Sequence, residues 1–500
     1  MHTLRHYSLG EPLSGSPHAV ASSLPTLADV RGYEESDPRV LSAMKVGYPR
    51  FFLHPYVRRL THLFLDREAL KDRDGILVAS LNAVRDLLEY VGSGARSIEV
   101  EKGLYLIHFD AVDSEMADKV YGYMQHVGCG ISSRQAEDSL IKIGRLFIPY
   151  AETFFDGDAR AETSRKLAEL YGCDVQDIWL CASGMNAFYT GFRAVQKVQH
   201  ARGRKRWVQL GWLYLDSGCV LKTFLEDDET LECCYNVMDT DAVVEKLSTL
   251  GDQLAGVVVE CPTNPLVQVC DLARISEAVH TNGGLLMVDP TVASVYNMDV
   301  LPYADILVNS LTKYAAYEGD VMIGSLALNA QSVHYAALKS VVPDFCIAPY
   351  RGDLARLAHE MQDAAEQVVQ MNSNAARFAK FLRGHPAVHT VYYAGDSPYH
   401  AQFARSRQNG GAMISIELNG SMQAFYDKIA VMKGPSFGTH TTMLSPFMYL
   451  AHYDLVTQET GRAFLKEVGL SPELIRISVG TEPYEAIEAV FAEALMNVEH

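Results

Sequence analysis

Residues 306–314 read Ile-Leu-Val-Asn-Ser-Leu-Thr-Lys-Tyr, a short apolar run that leads into hydroxyl side chains and a lysine. An apolar run of this length, followed by polar residues, is typical of a buried strand. Lys313 is therefore predicted to follow a strand end, with Ser310 and Thr312 just before it. A second apolar run ends on Asp289 in the same way. The pattern places an amine, two hydroxyls and a carboxylate at the ends of neighbouring strands.

This set of side chains predicts a Schiff-base lysine that holds pyridoxal 5'-phosphate (PLP). The amine of Lys313 can bind the aldehyde carbon, the hydroxyls can bind the phosphate, and the carboxylate of Asp289 can keep the pyridine nitrogen protonated. Taken alone, a lysine at a strand end is more often a solvated surface residue. The surrounding residues favour the cofactor site, so PLP is the expected cofactor.

The composition describes a large acidic globular protein. Because 500 residues exceed what one hydrophobic core serves, two or three domains are expected. A net charge of -18 argues against nucleic acid or an anionic membrane as a partner. Nine cysteines without a CxxC spacing argue against a zinc or disulfide framework. No apolar run reaches the ~18 residues of a membrane helix, and no signal core is evident, so a cytoplasmic protein that acts on a small molecule is expected.

The sequence pattern divides the chain into three parts. Residues 1–150 are expected to form an extended arm, up to about residue 60, and then an insertion of mixed pattern. Residues 151–345 alternate strand and helix patterns, which predicts a mainly parallel sheet with helices on both faces. Residues 346–500 begin with a long predicted helix over about 354–383 and continue as a smaller α/β domain. In such sheets ligands gather at the carboxyl ends of the strands, where the lysine and the carboxylate fall.

Other segments carry candidate site residues. Gly184 and Met185 begin a predicted helix after a strand, where backbone N–H groups can bind a phosphate. Tyr214 could stack on a pyridine ring, and Asn264, in a proline-bounded turn, could hydrogen-bond its phenolic oxygen. The guanidinium of Arg476, flanked by apolar strand residues, matches a substrate carboxylate, with an internal salt bridge as an equal alternative. Each signal is weak alone, because a helix cap, a core tyrosine and a turn asparagine are ordinary features.

Together these motifs resemble the Cys/Met-metabolism family of fold-type-I PLP enzymes, which contains cystathionine γ-synthase, the cystathionine lyases and methionine γ-lyase. The matching segments follow the family's order at residues 183–185, 260–265, 289–291, 310–314, 319–321, 436–438 and 476–482. The resemblance implies the α/β fold of the fold-type-I PLP-dependent transferases, which is similar to that of aspartate aminotransferase. It also implies a large domain with a mainly parallel sheet and a smaller C-terminal α/β domain.

The resemblance also implies a role for each candidate residue. Lys313 and Tyr214 would be the catalytic residues, with Tyr214 stacked on the cofactor ring. Asp289 and Thr291 belong to the motif that meets the pyridine nitrogen, and Asn264 would touch the phenolic oxygen. The phosphate would be bound by Gly184, Met185, Ser310 and Thr312. The substrate carboxylate would be held by Arg476 and Ser436.

The N-terminal third resembles the longer, fungal-type cystathionine γ-synthase branch at residues 17–26, 47–52 and 130–134. Compact family members use a Tyr-x-Arg pair to reach the phosphate of the neighbouring subunit. Tyr48 and Arg50 match that pair by letter, whereas Arg134 is closer to the distance expected before Gly184 and is slightly preferred. A homodimer or homotetramer with shared active sites is therefore expected.

The expected reaction is γ-replacement, in which a thiol such as cysteine replaces the γ-substituent of an activated homoserine-type amino acid. The alternative is a γ-lyase that removes a thiol, acyl or halide group, with a role in specialised amino-acid biosynthesis. The chain departs from the family pattern at Pro290, where Asn is usual, and at residues 317–319, where Gly-His-Ser is common. Substrate choice is thus the least determined property. A PLP-fold binding or regulatory protein is disfavoured, because all the catalytic positions are filled.

Overall fold

The computed structural model describes residues 4–47, 52–496 and 498. Within these residues, three β-sheets follow one another along the chain. A three-stranded sheet is followed by a seven-stranded sheet and then by a five-stranded sheet. No helix in the described part of the chain is both long enough and apolar enough to cross a membrane.

The first described segment, residues 4–47, is an arm that packs along the rest of the molecule. It contains two short helices, α1 (Leu27–Glu34) and α2 (Pro38–Ala43). The Val20 N–H donates to the Gly319 carbonyl and the Leu24 N–H to the Lys433 carbonyl, each at 2.9 Å. Most of its apolar side chains, such as those of Leu13, Leu24 and Val30, are buried. The arm is therefore more structured than expected, because burial of these side chains and backbone hydrogen bonds hold it in place.

The next part of the chain forms a small unit around an antiparallel sheet with strand order β1-β3-β2. Its elements are α3 (Pro55–Arg67), β1 (Arg73–Val78), α4 (Leu81–Val91), β2 (Arg96–Glu101), β3 (Leu104–Asp110), α5 (Ser114–Val127) and α6 (Ser133–Lys142). The apolar spacing of residues 77–90 is typical of a helix, but α4 begins only at Leu81, because residues 73–78 pair with β3. The Ser80 hydroxyl then caps α4 by accepting the Ala83 N–H.

The large sheet has the order β4-β10-β9-β8-β7-β5-β6. Its elements are α7 (Ala159–Tyr171), β4 (Ile178–Cys181), α8 (Gly184–His200), β5 (Arg206–Leu210), α9 (Leu215–Thr223), β6 (Thr230–Cys234), α10 (Thr240–Leu250), β7 (Leu254–Glu260), α11 (Leu272–Thr281), β8 (Leu285–Asp289), β9 (Ile306–Ser310), β10 (Gly324–Leu328) and α12 (Tyr335–Phe345). Strands β5 to β9 pair in parallel, and β10 is antiparallel to both of its neighbours. All seven residues of β7 are buried, as expected for a strand covered on both faces. The predicted mainly parallel sheet is confirmed.

The last part contains the five-stranded sheet, with order β11-β12-β15-β14-β13. Its elements are α13 (Arg351–Glu360), α14 (Ala364–Arg383), β11 (Val388–Tyr393), α15 (His400–Phe403), β12 (Met413–Leu418), α16 (Met422–Lys428), β13 (Met432–Lys433), β14 (Met443–Pro446), α17 (Phe447–Ala451), α18 (Tyr453–Thr457), α19 (Glu459–Glu467), β15 (Ile475–Ser478) and α20 (Tyr484–Leu495). The single helix predicted over 354–383 is wrong, since α13 ends at Glu360 and α14 begins at Ala364. The Met361 carbonyl at this break accepts a hydrogen bond from Lys166 Nζ at 2.7 Å, outside the helical ladder.

Candidate active site

A cavity at the carboxyl ends of β7, β8 and β9 gathers most of the predicted site residues. The predicted residues that line it are Gly184, Met185, Tyr214, Asn264, Asp289, Thr291, Ser310, Thr312, Lys313 and Arg476. Three neighbouring parallel strands end there, so residues that are distant in sequence meet at one sheet edge. The arm contributes one wall through Val20, Ala21 and Ser22.

Lys313 lies in the turn that follows β9, and its amine points into the cavity. Its Nζ donates to Ser436 Oγ at 3.1 Å, which brings the predicted serine to the site. Burial, together with the nearby positive charge of Arg476, lowers the pKa of Lys313 to about 7. A neutral amine is the form that attacks an aldehyde carbon, so the environment suits the predicted chemistry.

Asp289 ends β8 and is oriented by Thr291. The carboxylate accepts the Thr291 N–H at 2.8 Å and the Thr291 hydroxyl at 2.5 Å. The Ser310 N–H in turn donates to Thr291 Oγ1 at 2.9 Å, which ties β9 to β8. Burial raises the pKa of Asp289 to about 6. A buried carboxylate needs a positive partner, and a protonated pyridine nitrogen would supply one.

Glu260 also lines the cavity, although no role was predicted for it from the sequence. It ends β7 directly opposite Asp289 in the strand register, and it is buried. Its Oε1 accepts the Tyr214 N–H at 2.5 Å, and the Asn264 backbone also donates to the carboxylate. Burial, and then the adjacent charge of Asp289, raise its pKa well above the usual range. The available signal was an acid at the end of an apolar strand, the same signal that marked Asp289.

The end of the cavity predicted to hold the phosphate lies where α8 begins. Ser183 caps this helix by accepting the Asn186 N–H at 3.0 Å. A Cβ added to Gly184 would lie 2.7 Å from the Ser310 Cβ, so only glycine lets the helix approach β9 this closely. A helix N-terminus beside the hydroxyls of Ser310 and Thr312 suits a phosphate. These residues fit the cofactor.

Arg476 lies on β15, lines the cavity and is buried. Its Nη1 donates to Asn264 Oδ1 at 3.0 Å, and its Nη2 donates to the Pro435 carbonyl at 3.3 Å. The guanidinium also lies 5.0 Å from the ring centres of both Phe437 and Phe447. These neutral partners orient the guanidinium. The arrangement suits a cation that receives a carboxylate.

Arg134 does not fit the predicted role as a phosphate ligand. Its guanidinium is buried and pairs with three carboxylates of its own chain, Glu152 at 2.6 Å, Asp353 at 3.1 Å and Asp320 at 3.4 Å. These acids already compensate its charge, so the expectation for Arg134 is corrected to a structural ion pair. Tyr48 and Arg50, the alternative pair, lie outside the described residues.

The fold and the cavity together define a PLP-dependent enzyme of fold type I. The comparison with known families is consistent with this class, because residues 158–496 match the model of the Cys/Met metabolism PLP-dependent enzymes. The chain belongs to this family. PLP is therefore its cofactor, and the predicted family membership is confirmed.

Individual relatives span nearly the whole chain. The L-2-amino-4-chloropent-4-enoate dechlorinase/desaturase of Streptantibioticus cattleyicolor is 34% identical over 97% of both chains. The cystathionine γ-synthase of Neurospora crassa is 28% identical over 99% of both chains. Among solved structures, cystathionine γ-lyase from Lactobacillus plantarum superposes with a TM-score of 0.58 at 23% identity, over 68% of this chain and 87% of that chain. That structure supports the fold alone.

Proposed function

We propose that the protein is a γ-lyase that removes a small leaving group, such as chloride, from the γ-carbon of an amino acid. The observation that carries this proposal is the charge of the cavity. Among the described residues that line it, the cationic side chains are those of Lys313 and Arg476. One such guanidinium can hold the carboxylate of one amino acid, which is what elimination from a single substrate requires.

The walls near the lysine support elimination of a small, weakly polar group. Met322, Phe437 and Phe447 line the cavity and provide apolar surface. Such surface accommodates a halide or a short carbon chain and keeps water away from the reacting atoms. The relative from Streptantibioticus, named as a dechlorinase, favours the same reading.

Each side chain would perform one task in this reaction. Arg476, held by Asn264, would bind the substrate carboxylate and fix the orientation of Cα and Cβ. PLP, when bound, supplies the electron sink that makes protons on these carbons acidic. Lys313, with a pKa near neutrality, would take the proton from Cα and return a proton to the product. Glu260 would keep the Tyr214 backbone in place beside the ring.

The second candidate is γ-replacement by a thiol, favoured by the full-length similarity to the cystathionine γ-synthase of Neurospora. The two candidates differ in one measurable property, which is the dependence of product formation on cysteine. γ-Replacement consumes cysteine and forms a thioether, whereas elimination proceeds at the same rate without cysteine.

The deciding experiment incubates the purified holoenzyme with a γ-chloro amino acid, and separately with O-acylhomoserine, each with and without cysteine. We expect release of chloride, ammonia and a keto or unsaturated product at a rate that does not depend on cysteine. Formation of cystathionine as the main product would select γ-replacement. Absence of any γ-bond cleavage would refute both candidates. Lys313→Ala serves as the inactive control.

We also propose a cytoplasmic homodimer or homotetramer, as is usual for the family. None of the nine cysteines is in a disulfide, which fits a reducing compartment. Sedimentation of the purified protein measures the oligomeric state, and a monomer that retains activity would contradict the proposal of shared active sites.

A further inference from the structure

Three side chains with metal-ligating atoms converge beside the cavity. His126 lies in the last turn of α5, and Asp216 and Cys219 lie one helical turn apart on α9. A spacing of three residues places Asp216 and Cys219 on the same face of their helix, where they meet the imidazole of the facing helix. One ligating atom of each residue lies within 4.8 Å of the others.

The separation of His126 and Asp216 suits two ligands of one ion better than a direct hydrogen bond between them. His126 Nε2 lies 3.8 Å from Asp216 Oδ1, beyond hydrogen-bonding distance. Two ligands at about 2.0–2.2 Å from a tetrahedral zinc ion lie roughly 3.4 Å apart, so a small side-chain movement completes the geometry. The cluster therefore requires no rearrangement of the backbone.

The surroundings also favour a metal. Asp216 is only 3% exposed, and its Oδ1 accepts a hydrogen bond from Gln125 Nε2 at 2.6 Å, a partner of the kind that orients metal-bound carboxylates. Asp216 lines the cavity as well, and this provides a route for the ion to enter.

We propose that His126, Asp216 and Cys219 form a site for a zinc-type divalent cation. A nitrogen, an oxygen and a sulfur ligand suit zinc, whereas magnesium and calcium prefer oxygen ligands alone. The fourth coordination position is open to water. On binding, the Cys219 thiol loses its proton to solvent and the thiolate sulfur bonds the ion. The metal would link the insertion helix α5 to α9, the helix that begins directly after Tyr214.

The test measures zinc retained by the holoenzyme after dialysis against a zinc buffer. We expect about one zinc per chain, with affinity at least tenfold weaker in Cys219→Ser, Asp216→Asn and His126→Ala. The matched control is His200→Ala, because His200 belongs to a second, more exposed group with Glu226 and Asp228. This variant is expected to retain its zinc. Cofactor absorbance and the unfolding midpoint confirm that each variant is folded.

A second measurement needs no variant. Zinc should slow alkylation of Cys219 in the wild-type holoenzyme, with the modified residue identified by mass spectrometry, while alkylation of Cys233 should be unaffected. Failure to retain zinc would overturn the proposal. The proposal would also be overturned if Cys219→Ser and His126→Ala retained as much zinc as the wild-type protein, or if His200→Ala lost its zinc. If zinc left the alkylation rate of Cys219 unchanged, the proposal would likewise be overturned.

Discussion

The state of the Lys313 amine determines the pH at which the apoenzyme captures its cofactor. An ordinary lysine has a pKa of 10.5, and burial together with Arg476 lowers this one to about 7. The lysine therefore loses its proton as the pH rises through about 7. With that pKa the neutral fraction is about 9% at pH 6 and about 91% at pH 8, whereas an ordinary lysine is only about 0.3% neutral at pH 8. Capture should rise about tenfold over this interval and then level off.

The assay mixes cofactor-free protein with PLP across a pH series and records the visible absorbance change in a stopped-flow instrument. A small lysine derivative, measured in parallel, corrects for the titration of PLP itself. Lys313→Ala should show no covalent capture. Arg476→Gln should move the inflection to higher pH, because it removes a nearby positive charge. A corrected rate that continues to rise about tenfold per pH unit above pH 8 would refute this reasoning.

Three further predictions concern the buried charges. Asp289→Asn removes the carboxylate that would pair with the pyridine nitrogen, an interaction worth about 1.5–3 kcal/mol. Cofactor affinity, measured by equilibrium dialysis, should therefore fall about 10- to 150-fold. Unchanged affinity would contradict this pairing. Glu260→Gln keeps an acceptor for the Tyr214 N–H but removes the acid beside Asp289, so cofactor binding should be retained while the pH dependence of the visible spectrum shifts. Glu260→Ala, which lacks that acceptor, should bind the cofactor more weakly, and equal affinity of the two variants would argue against positioning by Glu260. Arg134→Met removes the cation that pairs with the buried Asp353 carboxylate. It should lower the free energy of unfolding by about 3–5 kcal/mol in denaturant titrations, an effect that an unchanged midpoint would disprove.

The sheet edge was predictable because each of its strands carries a local signal. A short apolar run that ends on Asp289, or on the hydroxyl residues before Lys313, indicates both that a strand is present and which polar side chains lie at its carboxyl end. The role of Arg134 was not predictable in this way, because its carboxylate partners come from three distant segments and sequence distance does not reveal them. The break between α13 and α14 was unpredictable for the same reason, because the Met361 carbonyl there accepts a hydrogen bond from Lys166, which lies on a helix distant in sequence.

The placement of the arm has a consequence for the biogenesis of the protein. Val20 bonds Gly319 and Leu24 bonds Lys433, so these contacts join positions about 300 and 400 residues apart in the order of synthesis. One wall of the cavity is therefore synthesised well before the segments that support it. A nascent chain that lacks residues 319 and 433 exposes apolar surface of the arm that the finished molecule covers, which favours aggregation until these contacts form. The arm side of the cavity is accordingly expected to take its final form only after both of its partners have been made.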